Sequence, residues 1–178
     1  FTGQTAGIDF VNVVLFFECG VDLPGDGSTY YYDDIQVAAP EEEVLELPVE
    51  FESTTIDYNL IGFEGAESAV VANPDPSGEN TSDTVVRSTK TEGAQFFAGT
   101  AMTLDVPIDF SESESISIKT WSPKADIPVR LKLEAADPAV FVELDVNTTV
   151  ENQWETLTWD FTGQTAGIDF VNVVLFFE

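Results

Sequence analysis

Apolar and polar residues alternate along much of the chain with the two-residue period of a half-buried β-strand. Val129, Leu131 and Leu133 alternate with charged residues, and the segment 142–146 repeats the pattern. The segment 169–177 differs, since it is apolar at nearly every position, which predicts a central strand covered on both faces. Further strands are predicted at 49–51, 58–63, 115–121, 155–161 and 30–37.

Turn-forming clusters separate these segments. Proline and glycine concentrate at 23–27, 73–78 and 136–138, and no stretch has sustained helical spacing. Many short strands joined by such turns are typical of an all-β fold. We therefore predict an antiparallel β-sandwich.

The chain also repeats itself. Residues 1–18 and 161–178 are identical, FTGQTAGIDFVNVVLFFE, and the two copies begin 160 residues apart, at positions 1 and 161. This period is the size of one globular domain, so each unit should bury its own core. The interpretation we favour is a tandem array of near-identical repeat units of 160 residues. The alternative is a single permuted domain with a duplicated end.

A linker divides the chain. Residues 38–43 read AAPEEE, in which small residues, a proline and three like charges favour a solvated, extended segment. We expect residues 1–38 to be the C-terminal strands of one sandwich and 39–45 to be the linker. Residues 46–178 would then be the next sandwich without its last strands.

The charge balance restricts the partners. With 33 acidic and 6 basic residues, the formal net charge is −27. Such a surface repels nucleic acid and anionic membranes, and no apolar stretch is long enough to insert into a bilayer. Other copies of the repeat, and a polysaccharide, are the partners we expect. Self-repulsion on this scale calls for salt or divalent cations, which favours a secreted or cell-surface setting.

Catalysis is not expected. The chain has no histidine, so a Ser-His-Asp or Cys-His nucleophile is not available, and carboxylates are too numerous for any pair to be informative. Cys19 is the one cysteine. A buried apolar role is the usual one for a free cysteine, and an intermolecular crosslink between copies is the alternative.

Four segments together resemble a known kind of domain. They are 47–52 (LPVEFE), 32–35 (YDDI), 122–134 (SPKADIPVRLKLE) and 154–161 (WETLTWDF). The set resembles the carbohydrate-binding-module-like jelly-roll domains of secreted and surface proteins of marine bacteria. The resemblance implies a jelly-roll-like sandwich, commonly with a structural calcium where the first and last strands meet.

The resemblance places that calcium beside Glu52 at one end of the domain and Asp33 and Asp34 at the other, with Glu64 in the loop 64–67 as a further ligand. Calcium takes six to eight oxygen ligands, which carboxylates supply. The alternative is that these carboxylates are ordinary solvated surface. The loop 22–27 is loosely calcium-like, but a hairpin turn is favoured there.

A glycan-binding face is a second candidate. Lys119, Trp121, Arg130 and Lys132 alternate outward from apolar positions, and Phe97 supplies another aromatic plane for a sugar to stack on. Cross-strand ion pairs of the cations with Glu143 and Asp145 are the favoured alternative. The leading functional hypothesis is a structural repeat of a secreted filament or adhesin, stiffened by calcium, in which neighbouring units are joined head to tail. Strand complementation, in which the end strand of one unit completes the sheet of the next, is one way to join them. The rival is a carbohydrate-binding module repeated for avidity.

Overall fold

The computed structural model describes residues 12–15, 29–33, 35 and 43–177. The chain divides into two units, and the second unit, Glu42–Glu178, contains all the strands assigned in these ranges. The described residues of the first unit, including those at 30–33 and 35 where a strand is predicted, are in neither helix nor strand. Within the described ranges, no helix has the length and apolarity needed to cross a bilayer.

Nine strands form the second unit, and every pairing between them is antiparallel. They are β1 (Ile61–Phe63), β2 (Ala66–Ala72), β3 (Thr84–Lys90), β4 (Gly99–Thr103), β5 (Ser115–Trp121), β6 (Pro128–Ala135), β7 (Phe141–Asn147), β8 (Trp154–Asp160) and β9 (Phe170–Phe177). The fold is therefore all-β, as predicted.

The larger sheet has five strands in the order β1-β4-β9-β6-β7. Strand β9 is its centre, with β4 on one side and β6 on the other. Val173 and Val174 are adjacent in β9, point to opposite faces and are both buried. The prediction of a central strand covered on both faces is confirmed.

The opposite layer consists of two separate ribbons, β2-β3 and β5-β8. Alternate side chains of β6 and β8 interdigitate between the layers, and the sandwich core is built around fully buried Leu131, Leu133, Trp159, Phe161 and Phe170. The β2-β3 ribbon is tied to β4 by hydroxyl groups, because the Thr100 hydroxyl lies 2.6 Å from that of Ser68 and 2.8 Å from that of Ser88.

Strands β5 to β9 lie where the alternation predicts them, whereas the start of the domain differs. Val49 and Phe51 contact the core but lie outside any strand, so the strand prediction at 49–51 is wrong in this structure. The pattern also did not indicate β4. Small residues are needed there, because a Cβ on Gly99 would lie 2.2 Å from the carbonyl oxygen of Leu175 on β9.

Candidate functional site

An open groove separates the two ribbons of the divided layer. It has a volume of about 2230 Å³ and is lined by β3 on one side and β5 on the other. Met102 of β4 and Val173, Leu175 and Phe177 of β9 also line it, so the groove reaches the inner face of the large sheet. We call this feature the β3–β5 groove. Of these four side chains, Met102 and Val173 are buried, and Leu175 and Phe177 are half-buried.

Both walls of the β3–β5 groove are strand edges. Among the described residues, β3 pairs with β2 alone and β5 pairs with β8 alone. An edge strand presents a row of backbone N–H and C=O groups that can bond to another strand. The groove is therefore bordered on two sides by strands whose backbone can form β-sheet hydrogen bonds with a further strand.

The segment 46–52, which follows the buried Leu45, lines the groove as well. Its burial alternates: Leu45 is buried and Leu47, Val49 and Phe51 are half-buried against the core, while the residues between them are exposed. This is the pattern of a strand, yet within the part of the chain that the structure describes the segment joins no sheet. Its far end is held at β3, since the Thr84 amide donates to Glu52 Oε1 at 3.1 Å.

One connection crosses between the ribbons. Trp154 opens β8 opposite Trp121, and its indole Nε1 donates to the carbonyl oxygen of Asp75, in the loop between β2 and β3, at 2.8 Å. The Thr156 hydroxyl donates to Glu79 of the same loop at 2.8 Å. Sequence reasoning singled out Trp121 and missed Trp154, although both tryptophans line the groove.

Charged residues of both signs line the β3–β5 groove. Arg87, Lys90, Lys119 and Lys124 line it, which is four of the chain's 6 basic residues. Lys90 donates to the carbonyl oxygens of Phe96 at 2.7 Å and of Phe177 at 2.9 Å. Among the described residues, the salt bridges are made by the other two cations, Arg130 and Lys132. Seven carboxylates line the groove as well, so the charges along it are mixed with an excess of acid: Glu46, Glu50, Glu52, Asp75, Asp83, Asp109 and Glu112.

The predicted glycan face is not a single face. Lys119 and Trp121 belong to the β5-β8 ribbon, whereas Arg130 and Lys132 belong to β6 of the five-stranded sheet. On β6 the alternate residues Val129 and Leu131 are buried in the core, so Arg130 and Lys132 point to the outer side of that sheet. The four side chains therefore lie on different layers, and the expectation of one shared surface is wrong.

Arg130 instead forms the cross-strand ion pairs that the sequence favoured. It lies opposite Asp145, to which Nε donates at 2.7 Å, and Nη1 lies 3.2 Å from Glu143. Hydrogen bonds from Arg130 hold the pKa of the Asp145 carboxyl below its usual value. Lys132 pairs with Glu134 of its own strand at 2.6 Å, and its Nζ lies 4.1 Å from the ring centre of Phe141. Arg130 and Lys132 thus form ion pairs with carboxylates of their own sheet.

Phe97 lies in the connection before β4. Its ring packs edge to face against Phe96, with 5.1 Å between centroids, and both rings are exposed. Neither ring is among the residues that line the β3–β5 groove. Phe97 therefore does not extend an aromatic platform from Trp121.

The predicted calcium ligands are partly separated. Glu52 meets the β2-β3 ribbon where Thr84 pairs with Ala72, while Glu64 precedes the opposite end, where Ala66 pairs with Lys90. Six residue steps along a strand are about 20 Å, so Glu52 and Glu64 do not share one ion. Asp33 belongs to the first unit, and Asp34 lies outside the described residues. In the described ranges, no three ligand side chains gather into a metal-binding group.

A carboxylate that sequence reasoning missed organises the turn between β8 and β9. Glu114 accepts hydrogen bonds from the Thr165 hydroxyl and, at 2.7 Å, from the Gly163 amide, and these bonds lower the pKa of its carboxyl. This arrangement is structural, because the bonds fix the turn that precedes the central strand. Cys19 lies outside the described residues.

Comparison of the sequence with protein-family models and with curated proteins finds no match.

Proposed function

We propose that this chain is a structural repeat of a secreted extracellular filament or adhesin, in which copies are joined head to tail. The observation that carries the proposal is the identity of residues 1–18 with residues 161–178. The second copy contains β9, the central strand of the sandwich. A chain that encodes its central strand twice, one domain length apart, is what a tandem array of such domains produces.

The groove supports the same proposal. A sandwich layer divided into two ribbons leaves backbone edges exposed, which isolated globular domains normally pair, cover or charge. Copies joined in an array can supply the missing backbone. The acidic surface fits a setting where salt or calcium screens repulsion between neighbours, and calcium near Glu52, Asp33 and Asp34 would stiffen the junctions.

Electron microscopy of the native assembly tests this function. We expect ordered fibres with an axial repeat of one domain, which lose order when EGTA removes calcium. Isolated particles without a periodic axis would contradict the filament. Fibres that keep their order in EGTA would contradict the role of calcium but would still support a tandem array.

The second candidate is a carbohydrate-binding module. Trp121 and Trp154 at the β3–β5 groove favour it, since tryptophan planes beside hydrogen-bonding groups suit sugars. A glycan array separates the two functions. Binding that is lost in Trp121→Ala and retained in Phe97→Ala, which lies away from the groove, would favour the module.

A further inference from the structure

We propose that residues 10–17 of a second copy of this chain can take the place of β9 in the five-stranded sheet, so that an exchanged strand joins the two copies. The inference deepens the proposed function and rests on it, because it names a contact between copies. Exchange of an identical element between protomers is a known route to association. The occupant is selected here by its sequence, which is the same as that of β9.

The place of β9 is a site that a strand must match at every position. Strand β9 lies between β4 and β6 and is bonded to them along 5 and 7 residue pairs. Val173 and Val174 are buried on opposite faces, and Phe170 is fully buried. A slip of one residue would move each side chain to the other face of the sheet. The place therefore accepts few sequences, and those in a single register.

Residues 10–17 have the required sequence. They read FVNVVLFF, as β9 does, within a stretch of eighteen identical residues. A strand of this sequence, inserted in register, forms the same backbone hydrogen bonds and buries the same side chains. Exchange between copies is therefore close to neutral in contact energy. Its cost is the freedom that two chains lose on joining, which a tandem array reduces by holding its copies close together.

The segment that leads into the strand is duplicated as well. Glu114 fixes the turn before β9 by accepting hydrogen bonds from the Gly163 amide and the Thr165 hydroxyl. Gly3 and Thr5 occupy the corresponding positions of the first copy. Glu114 of the receiving copy therefore meets the same hydrogen-bond donors in the incoming segment.

The chain has two copies of the strand and, among the described residues, one place for it, which β9 fills. The described part of the first copy, residues 12–15, is in neither helix nor strand. Val14 is 67% exposed, whereas its counterpart Val174 is 5% exposed. Adjacent apolar side chains left in solvent indicate a surface that a partner covers. Because the place in their own chain is filled, we assign them to the place of β9 in a second copy.

The first test uses a donor and an acceptor chain. Val174→Asp places an unpaired charge at a buried position of β9, and the double variant Val14→Asp/Val174→Asp has no intact strand of this sequence. The double variant is the acceptor, and the wild type, with β9 in its own place, is the donor. By sedimentation velocity we expect a complex of one donor with one acceptor. Val14→Asp as donor is the matched control and should form no complex.

The single variant keeps the proposal testable if the double variant aggregates. Val174→Asp still carries residues 10–17 unchanged, so another copy can fill the place of its damaged strand. We expect its melting temperature to lie well above that of the double variant and to rise with protein concentration, as mass action requires for a fold that a partner stabilises. Val14→Asp should melt as the wild type does at every concentration, because its β9 is intact.

A disulfide locates the inserted strand. Phe177 lies opposite Val129, so an incoming strand in the same register carries Cys19, two residues past its end, to the position opposite Ile127. Cys19 is the chain's one cysteine. An acceptor that also carries Cys19→Ser and Ile127→Cys should form a disulfide-linked pair with the wild type under mild oxidation. An acceptor with Asp137→Cys in place of Ile127→Cys, at the other end of β6, should not.

Three results would overturn the proposal. The first is a Val174→Asp chain that is as unstable as the double variant at every concentration, since residues 10–17 would then not fit the place of β9. The second is a complex that Val14→Asp forms as well as the wild type does. The third is a Val174→Asp chain that folds as a monomer at every concentration while the double variant takes no strand from the wild type, which would confine the strand to its own chain.

The filament and the exchanged strand can fail separately. Periodic fibres of the native assembly, together with any of these three results, would support the array without this contact. A complex of the wild type with the double variant, together with native particles that have no periodic axis, would support the contact and contradict the filament.

Discussion

Arg130 and Asp145 lie directly opposite each other on neighbouring strands, and the guanidinium donates from Nε and Nη2 to the two carboxylate oxygens at 2.7 and 2.8 Å. The paired geometry orients both side chains along the outer face of the five-stranded sheet. The pair therefore joins β6 to β7 by a two-pronged ion pair as well as by the backbone ladder.

Replacing this carboxylate should cost a modest amount of stability. Both side chains are about 40% exposed, so solvent screening limits the loss on Asp145→Asn to about 0.2–1 kcal/mol. The pKa of Asp145 is lowered in the folded state. Its contribution is therefore present above the unfolded pKa of about 3.9 and disappears as pH falls through the lower folded value. Urea unfolding between pH 7 and pH 3 measures this.

The control for Asp145→Asn is Glu112→Gln, which removes an exposed carboxylate in the loop before β5. It corrects for the relief of general repulsion that any lost negative charge brings. A stability difference between the two variants that stays constant down to pH 3 would contradict the assignment of the shift to Arg130.

Trp159 should be the most sensitive position of the core. It is fully buried, and its Nε1 donates to the carbonyl oxygen of Val129 at 3.2 Å, which ties β8 to β6 across the sandwich. Trp159→Phe leaves that buried carbonyl without its donor and opens a cavity, at a cost of about 2–4 kcal/mol. Chemical denaturation measures the loss. Trp121→Phe, at the rim of the groove, should cost less than half as much.

Gly99 should not accept a side chain. Its added Cβ would lie 2.2 Å from the Leu175 carbonyl oxygen, which is backbone of the central strand and cannot move aside. Gly99→Ala is expected to destabilise the domain by about 2–4 kcal/mol, in the range of overpacking. Gly78→Ala meets nothing within 4 Å at its Cβ and bears only the strain of its positive φ, about 1–2 kcal/mol. Equal melting temperatures for the two variants would contradict the steric argument.

Calcium removal should lower the melting temperature if Glu52 holds an ion. At a calcium concentration about 100 times the dissociation constant, binding adds about 2.7 kcal/mol, or roughly 5–10 °C for a chain of this length. Glu52→Gln should abolish the response to EGTA. Glu64→Gln, at the other end of the β2-β3 ribbon, should keep it. If EGTA leaves the melting temperature unchanged at matched ionic strength, the proposal that this protein binds calcium is wrong.

The sequence predicted the strands in which buried apolar side chains alternate with exposed polar ones. In β6 the buried Val129, Leu131 and Leu133 alternate with exposed or paired charges, so position in the chain directly gives the face. Strand β4 was not predicted, because the close approach of its backbone to β9 requires small residues such as Gly99. Small residues do not produce an alternation of apolar and polar positions.

The alternation of apolar and polar residues does not predict how the strands are arranged into sheets. It shows that Lys119 and Arg130 both point away from the apolar positions of their strands, but it does not tell which layer each strand joins. Only the pairing of β5 with β8, and of β6 with β7 and β9, separates the two cations. The groove could not be read from the chain for the same reason, since it arises from a pairing that β3 and β5 do not make with each other.

The position of β9 bears on how such a protein would carry load. Its backbone is bonded to β4 along 5 residue pairs and to β6 along 7, and in chain order it is the last of the described strands. Tension applied at its C-terminal end pulls the strand lengthwise against two ladders at once, so their hydrogen bonds resist in shear and must rupture together instead of opening one by one. In the filament proposed above, this central position would make the connection to the following unit resistant to pulling.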